Sequence, residues 1–450
     1  MDDTTLINSN SSGFFDKKIN YEGIDYRLVL SFGGADGAFD LSKFVDDFGM
    51  KICLNCVDKF ASISKSNIAT TMSNNKEVST KRENLDSFAF NIETDLIKGV
   101  AISPVKDNGI TDGTMIGGIA LGFSSEFDIN NVEELLLLLI EKYQSELYKN
   151  KYGFIDDIKS INDNKPLEKQ IQTCIVEYLN AKKYDKVWFG APYFDEWERV
   201  TKFYVGRNND RKEYIDLYVE DIMADFEITD FKDLSKIHVF PVYDDNEYDG
   251  YKLSECLYGE VEINEKIYVV NNNRYYHINK DYVVKINSQY NSLRIMGTLP
   301  DKLNDATERA YNERVSSIDD DLVLFDRKIF KKGRTDFELC DLYSKKKNMF
   351  IHVKNYGASS VLSHLFFQAL NSAKFFKYNK DEIVDYYKDV YEIPKDVKHS
   401  VAMAIISKDV VAENNRLAIP FFSKMSIVSA VNELKMLEID AGVIYVSSRK

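Results

Sequence analysis

The residues best suited to chemistry lie within one stretch of the chain, residues 336–354. This stretch is predicted to form two β-strands joined by a tight turn at 346–347. With that turn, Asp341 lies opposite His352, and Lys354 follows His352 by two positions. Opposed residues and i, i+2 residues share one face of a hairpin, so the three side chains are expected to converge. A register slip of one residue would move Asp341 to the other face.

A carboxylate, an imidazole and an ammonium group on one face suit the hydrolysis of a phosphodiester bond. That reaction needs a cation that neutralises developing charge and activates water, and carboxylate oxygens are preferred ligands of Mg²⁺. We therefore expect Asp341 to hold Mg²⁺ or Mn²⁺, His352 to ligate the metal or position water, and Lys354 to stabilise the attacking or leaving oxygen. The apolar neighbours Phe350 and Val353 disfavour the alternative, a solvated hairpin face.

Further carboxylates lie within reach of this hairpin. Glu338 would join the metal ligands if a bulge turned it inward, because in a regular strand it faces away from Asp341. Glu308 or Glu313, on a helix predicted before the hairpin, could supply another carboxylate. The expected metal ligands are thus Asp341, Glu338, His352 and Glu313.

A helix is predicted directly after the hairpin, over 359–376. His364 and Gln368 share one of its faces because they are four residues apart. A helix N-terminus with serine hydroxyls is a ready phosphate site. Ser360, His364 and Gln368 are therefore candidate substrate-binding residues. The same pattern fits equally well an ordinary capped helix that packs its apolar side on a sheet.

The hairpin residues resemble the PD-(D/E)xK restriction-endonuclease superfamily. Asp341 matches the first-strand Asp of that superfamily, and His352-Val353-Lys354 stands at its (D/E)xK motif, with His in place of the acidic residue. The resemblance implies a mixed sheet flanked by helices and a metal-dependent endonuclease acting on nucleic acid, with DNA as the expected substrate. A homodimer is expected by analogy, because superfamily members that cut both strands often pair.

Several segments also resemble a sporadically distributed bacterial family of unknown function, found near restriction and phage-defence genes. The resemblance covers most of the chain, and His-Val-Lys is typical of that family. It implies a role in defence, with nucleic acid or a defence-system protein as partner. The segments that carry it are Tyr26–Phe32, Phe48-Gly49, Asp95–Val100, Glu338–Leu342, His352–Lys354, Ser359–Gln368 and Ile419–Met425.

Hydrophobic patterns and turn signals predict a multi-domain α/β chain. Residues 1–150 are predicted as an N-terminal α/β domain, 151–300 as a middle α+β domain and 301–450 as the nuclease-like domain. The last of these contains, in order, a helix, three strands, a helix, a strand, a helix and a strand. Residues 50–57 in the first domain are predicted as a strand.

Charge and cysteine content limit which classes of protein this chain can belong to. A formal net charge of −14 disfavours a protein that only coats nucleic acid. Residues 301–380, however, hold 15 Lys and Arg against 11 Asp and Glu, so positive charge is concentrated around the hairpin. Five cysteines without dense spacing, and the absence of a signal-peptide pattern or a long apolar run, predict a cytoplasmic protein without a membrane span.

Three functions remain open at this stage. The first, which we expect, is a metal-dependent endonuclease. The second is a nucleic-acid-binding protein with an inactive nuclease core, which would bind without magnesium and cleave nothing. The third is a scaffold protein of a defence complex, which would bind no nucleic acid at any salt concentration.

Overall fold

The computed structural model describes most of the chain. The residues described are 7–9, 12–21, 24–33, 38–41, 47–67, 74–91, 95–118, 120–124, 132–161, 165–192, 200–207, 210–243, 246–248, 250–305, 307–332, 335–356, 359–408 and 416–448. The chain divides into two compact units, with the boundary after Asp157. The predicted division into three domains, with boundaries at 150 and 300, stays a prediction.

The first unit is built on one antiparallel sheet. Its described strands are ordered β1-β2-β3-β4-β9-β8-β7-β5-β6. The elements are β1 (Ile7–Ser9), β2 (Ser12–Tyr21), β3 (Ile24–Gly33), β4 (Ala38–Leu41), α1 (Phe48–Cys56), β5 (Val57–Asn67), β6 (Asn74–Glu83), β7 (Asp95–Pro104), β8 (Met115–Gly117), β9 (Leu121–Ser124), α2 (Val132–Gln144) and α3 (Lys149–Tyr152).

The strand predicted at 50–57 is wrong, because these residues lie mainly in helix α1. Seven of the nine residues of α1 are buried, so the helix lacks the polar face that would give its sequence a helical period. The helix packs closely on the sheet: a Cβ atom on Gly117 of β8 would lie 2.2 Å from the carbonyl oxygen of Gly49. Cys53 and Cys56 are buried free thiols on this helix, and burial raises the pKa of Cys53.

This close approach predicts that Gly117→Ala destabilises the first unit. The added methyl group would also lie 2.5 Å from the Cys53 sulfur, and such overpacking costs about 1–3 kcal/mol. Hydrogen-exchange mass spectrometry should show faster exchange in peptides from β7 and β8. Gly113→Ala, whose Cβ would lie 3.3 Å from the Thr111 hydroxyl at an exposed position, is the control and should exchange like the wild type.

The second unit begins with antiparallel strands of the middle region. They form a sheet ordered β10-β19-β18-β17-β11 and another ordered β13-β12-β14-β15, with β16 on β14. The elements are β10 (Ile158–Ser160), α4 (Lys165–Asn180), β11 (Val187–Phe189), β12 (Val200–Arg207), β13 (Asp210–Tyr214), α5 (Val219–Asp225), α6 (Phe231–Leu234), β14 (His238–Tyr243), β15 (Asn246–Glu247), β16 (Tyr251–Lys252), β17 (Leu257–Ile263), β18 (Lys266–Asn271), β19 (Arg274–Ile278) and α7 (Lys280–Asn291).

The rest of this unit is the mixed α/β core that holds the predicted site. Its main sheet is ordered β20-β23-β24-β25-β26, antiparallel from β20 to β24 and parallel from β24 to β26. The elements are α8 (Glu308–Ile318), β20 (Leu322–Leu324), β21 (Ile329–Lys332), β22 (Thr335–Glu338), β23 (Leu342–Ser344), β24 (Met349–Asn355), α9 (Ser359–Tyr378), α10 (Lys380–Tyr387), β25 (Ser400–Ser407), α11 (Phe421–Met436) and β26 (Asp440–Ser447).

Helices cover both faces of the mixed sheet. Successive apolar residues of β24 point to opposite faces, so both faces must be covered. Phe350 packs in a core with Leu365 of α9 and other residues of α9 and α11. Ile351, the next residue of β24, packs on the opposite face with Tyr311 of α8. The predicted α/β class and the C-terminal mixed sheet are confirmed. No helix in the described part of the chain is both long and apolar enough to cross a membrane.

The segment before α8 covers one edge of this sheet. The amide of Met296 donates to the Val443 carbonyl and the amide of Val443 donates to the Arg294 carbonyl, each at 2.9 Å. Farther along, the amide of Lys302 donates to the Ser447 carbonyl at 2.8 Å. The segment therefore occupies backbone groups on the free side of β26.

Candidate metal centre

The hairpin has the predicted register but a different first strand. Ser344 pairs with Met349, as the turn position required. The first of the two strands predicted within residues 336–354 is interrupted, because β22 ends at Glu338 and β23 begins at Leu342. The strand β22 pairs with β21 in a separate two-stranded sheet, which redirects the chain between Glu338 and Asp341.

This interruption brings three carboxylates together. Oxygen atoms of Asp326, Glu338 and Asp341 all lie within 4.8 Å of one another. Glu338 and Asp341 are three residues apart and would lie on opposite faces of a regular strand. Asp326 comes from the turn between β20 and β21. Each carboxylate thus lies at the end of a strand or just outside one.

Asp341 is held in place mainly through its backbone. Its amide donates to the Ile351 carbonyl at 3.0 Å, and its own carbonyl accepts from the amides of Phe325 and Asp326, each at 2.9 Å. Its carboxylate accepts from the amide of Val353 at 2.7 Å. Asp341 therefore connects the end of β20 and the start of β23 with the middle of β24, and its side chain lies against the backbone of β24.

The other two carboxylates are also fixed by neighbours. Glu338 accepts from the backbone amide of Arg327 and, at 3.4 Å, from the side-chain amide of Gln368 on α9. Asp326 accepts from the side-chain amide of Asn312 on α8 at 3.2 Å. Asn312 is 1 % exposed, and its side-chain oxygen has no hydrogen-bond partner among the described residues.

The grouping of like charges makes the ionised cluster unfavourable by itself. Burial, then the nearby carboxylates of Glu338 and Asp326, raise the pKa of Asp341 well above its usual range. The Val353 amide and the Lys354 ammonium act in the opposite direction but do not outweigh these causes. A cation bound between the carboxylates would remove the repulsion.

Lys354 lies beside the cluster and is held by Glu308 of α8. Its ammonium nitrogen is 3.1 Å from a Glu308 oxygen, and its side chain is 12 % exposed. The other Glu308 oxygen accepts from the amide of Asn355 at 2.8 Å. Glu313, which we expected among the metal ligands, is instead largely exposed and forms an ion pair with Arg309 at 2.7 Å.

His352 is not part of the carboxylate group. Its side chain is fully buried against α9, where Nε2 is 3.0 Å from the Ser372 hydroxyl. Burial lowers the pKa of His352 to about 3, so the imidazole is neutral at physiological pH. Asp341 does not face it because Asp341 lies outside the regular strand, where pleat alternation no longer applies. The metal-binding and catalytic roles expected of His352 stay predictions.

Helix α9 places the predicted substrate-binding residues along its length. Gln368 reaches the cluster through Glu338. His364 lies one turn earlier and is partly buried. Ser360 is in the first turn of α9, and its side chain lies outside the described residues.

Sequence reasoning missed two residues of the site, Asp326 and Asn312. Asp326 lies two residues after the apolar strand β20, and an acidic residue just beyond an apolar strand was a signal available in the sequence. Asn312 left no such signal, because its place beside Asp326 depends on how α8 packs on the sheet.

The sequence matches DUF6119, a family of unknown function, over residues 19–447, and the chain belongs to that family. No curated protein and no solved structure matches the chain.

The raised pKa of Asp341 predicts that Asp341→Asn stabilises the metal-free protein. A carboxyl whose pKa is higher in the folded state destabilises the fold once pH exceeds its unfolded value, and the loss is complete above the folded value. At pH 7 with a chelator, urea unfolding followed by tryptophan fluorescence should give about 0.5–2 kcal/mol more stability for the variant. The gain should shrink towards pH 4.

Glu313→Gln is the matched control, because it neutralises an exposed carboxylate outside the cluster. It should change the unfolding free energy by no more than about 0.5 kcal/mol at either pH, the contribution of one exposed i, i+4 ion pair. A less stable Asp341→Asn protein at pH 7 would contradict the electrostatic account.

The His352 contact predicts that Ser372→Ala destabilises the core without affecting metal binding. The variant removes the buried partner of Nε2, which costs about 1–3 kcal/mol. Urea unfolding measures the loss, and Mn²⁺ titration by calorimetry should give the wild-type affinity. A large drop in Mn²⁺ affinity would instead place His352 in the metal site.

Proposed function

We propose that this DUF6119 protein is a metal-dependent endonuclease that hydrolyses phosphodiester bonds in nucleic acid, with DNA as the expected substrate. One observation carries the proposal: Asp326, Glu338 and Asp341 form a compact carboxylate group beside Lys354. The defence or restriction context rests on the resemblance of the sequence segments described above.

The donor set fits Mg²⁺ or Mn²⁺. Both ions prefer carboxylate oxygens, and three carboxylates are available from Asp326, Glu338 and Asp341. Burial, and then the neighbouring carboxylates, raise the pKa of Asp341, and a bound cation would favour its ionised form against both effects. The side-chain oxygen of Asn312, buried beside Asp326 and without a described partner, adds a neutral oxygen nearby.

A bound cation would supply Lewis-acid stabilisation and a water of lowered pKa. Asp326, Glu338 and Asp341 would hold it, and their backbone hydrogen bonds keep the carboxylates oriented before substrate arrives. The Lys354 ammonium would stabilise negative charge on the phosphate oxygens. Glu308 positions that ammonium at the edge of the carboxylate group.

The mixed sheet supports the likeness to PD-(D/E)xK enzymes. Asp341 precedes β23 and Lys354 lies on β24, the two places where that motif puts its Asp and Lys. His352 stands where the motif has an acidic residue, and it faces α9. We propose that Glu338 and Asp326 supply the missing carboxylates from the interrupted strand and the preceding turn.

A second candidate is an inactive nuclease core that binds nucleic acid or acts as a scaffold in a defence complex. Two observations favour it: the acidic residue of the motif is replaced by a neutral, buried His352, and the Lys354 ammonium is paired with Glu308. A lysine held by a carboxylate has less positive charge to offer a phosphate.

Cleavage assays test the proposal. Supercoiled plasmid, linear duplex, single-stranded DNA and RNA are incubated with Mg²⁺ or Mn²⁺. Asp326→Asn, Asp341→Asn and Lys354→Ala should each lower the rate by about 10²-fold or more, as loss of one transition-state contact does. Glu313→Gln, the exposed carboxylate on α8, should cleave at the wild-type rate.

Metal binding is measured separately from cleavage. Mn²⁺ should raise the melting temperature of the wild type and of Glu313→Gln, and not that of Asp341→Asn, because only a bound ion stabilises the folded state. Equal cleavage by all variants would contradict the proposed centre. Metal-independent nucleic-acid binding with no cleavage by any form would favour the inactive core.

A further inference from the structure

A two-stranded hairpin has both of its ends next to the carboxylate group. Its strands β21 and β22 pair from Ile329 opposite Glu338 to Lys332 opposite Thr335. Among the described strands, neither pairs with a third. The hairpin begins after Asp326 and ends at Glu338, so two of the three carboxylates lie at its base. We call residues 327–332 and 335–338 the basic arm.

Aromatic contacts fix one side of the basic arm to the core. Phe330 is 2 % exposed, and its ring centroid lies 5.9 Å from that of Phe375 on α9 and 4.8 Å from that of Tyr386 on α10. The Tyr386 hydroxyl donates to the Ile329 carbonyl at 2.8 Å, and the Tyr387 hydroxyl donates to the Lys328 carbonyl at 2.6 Å. The base of the arm is therefore a fixed platform.

The arm carries exposed positive charge. Arg327 and Lys331 are exposed, and neither forms an ion pair among the described side chains; in the hairpin, Lys331 pairs with Asp336 on the opposite strand. Elsewhere in the same core, Arg314 and Lys374 are paired with carboxylates. In a chain of net charge −14, exposed cations beside an acidic cluster indicate a partner that brings its own negative charge.

Arg327 is the closest of these cations to the metal ligands. It follows Asp326 directly, and its backbone amide donates to a Glu338 carboxylate oxygen. Its φ of 60° is a left-handed backbone conformation that residues other than glycine seldom adopt. An arginine at this place has a planar guanidinium suited to two parallel hydrogen bonds with a phosphate.

We infer that the basic arm binds the nucleic-acid backbone, with Arg327 on the phosphate next to the cleaved bond and Lys331 on a phosphate farther along the strand. The inference rests on the proposed function for its substrate class. It adds the surface that positions the substrate, which the carboxylate group cannot provide because it repels phosphates when no cation is bound.

Binding measured without cleavage tests the inference. Fluorescence anisotropy of a labelled DNA duplex, with a chelator present, gives affinity over a range of KCl concentrations. Each phosphate contact contributes about 0.9 to the slope of log affinity against log salt. Arg327→Ala and Lys331→Ala should each lower that slope by about one and weaken binding, and Lys331→Glu should weaken it further.

The controls separate the arm from general charge and from folding. Lys232→Ala removes an exposed lysine of the middle region and should bind like the wild type. Ala and Lys keep the Cβ of Arg327, so the backbone conformation there is under similar strain in all variants. Arg327→Lys should keep the salt slope but lower the cleavage rate, because the two-pronged contact is lost.

The outcomes distinguish this inference from the proposed function. Wild-type slope and affinity in both alanine variants, or an equal loss in Lys232→Ala, would overturn the arm as the binding surface. A wild type that binds through the arm and cleaves nothing would refute the hydrolysis and keep the arm. A wild type that binds no nucleic acid either with the chelator or with Ca²⁺ in its place, and that cleaves nothing with Mg²⁺ or Mn²⁺, would refute both.

Discussion

The interruption of one β-strand between Glu338 and Asp341 is the constraint on which the rest of the site depends. A continuous strand would place these two carboxylates on opposite faces, so they could not join Asp326 in one group. The backbone of Asp341 makes the interruption stable, because its amide and carbonyl bond to β24 and to the turn after β20 instead of continuing the ladder. Main-chain hydrogen bonds thus set the positions of the carboxylates, and these bonds do not depend on whether the side chains are ionised.

Because those hydrogen bonds hold the acids together, the protein tolerates repulsion at this point. The pKa of Asp341 is raised by burial and by its acidic neighbours, and the fold pays for this elsewhere through the apolar cores on both faces of the mixed sheet. The cationic groups around the cluster are divided. Lys354 is held close by Glu308, whereas Arg327 turns its side chain to solvent. The three carboxylates therefore form an acidic group with positively charged side chains beside it.

Much of the core was predictable from the sequence, because local patterns determine it. The turn at 346–347 set the register of Ser344 with Met349, and the periodicity of 359–376 predicted α9. The interruption before Asp341 was not predictable, because it depends on the pairing of β22 with β21, which the residues of β22 alone do not reveal. Strand alternation predicted that His352 would converge with Asp341, whereas the imidazole packs against Ser372, a contact that required knowing which helix covers that face. Helix α1 was mistaken for a strand because burial on all sides removes the polar face that marks a helix.

The segment that covers the free side of β26 has a consequence for assembly. Unpaired strand edges are where β-proteins join one another or aggregate, and this one has its Val443 and Ser447 groups already occupied. The close fit depends on Gly442, where a Cβ would lie 2.1 Å from the Arg294 carbonyl oxygen. The opposite edge is β20, only three residues long. Among the described strands of this mixed sheet, little edge is therefore left through which two copies could join their sheets side by side, and any pairing of this sheet would have to use its helix-covered faces.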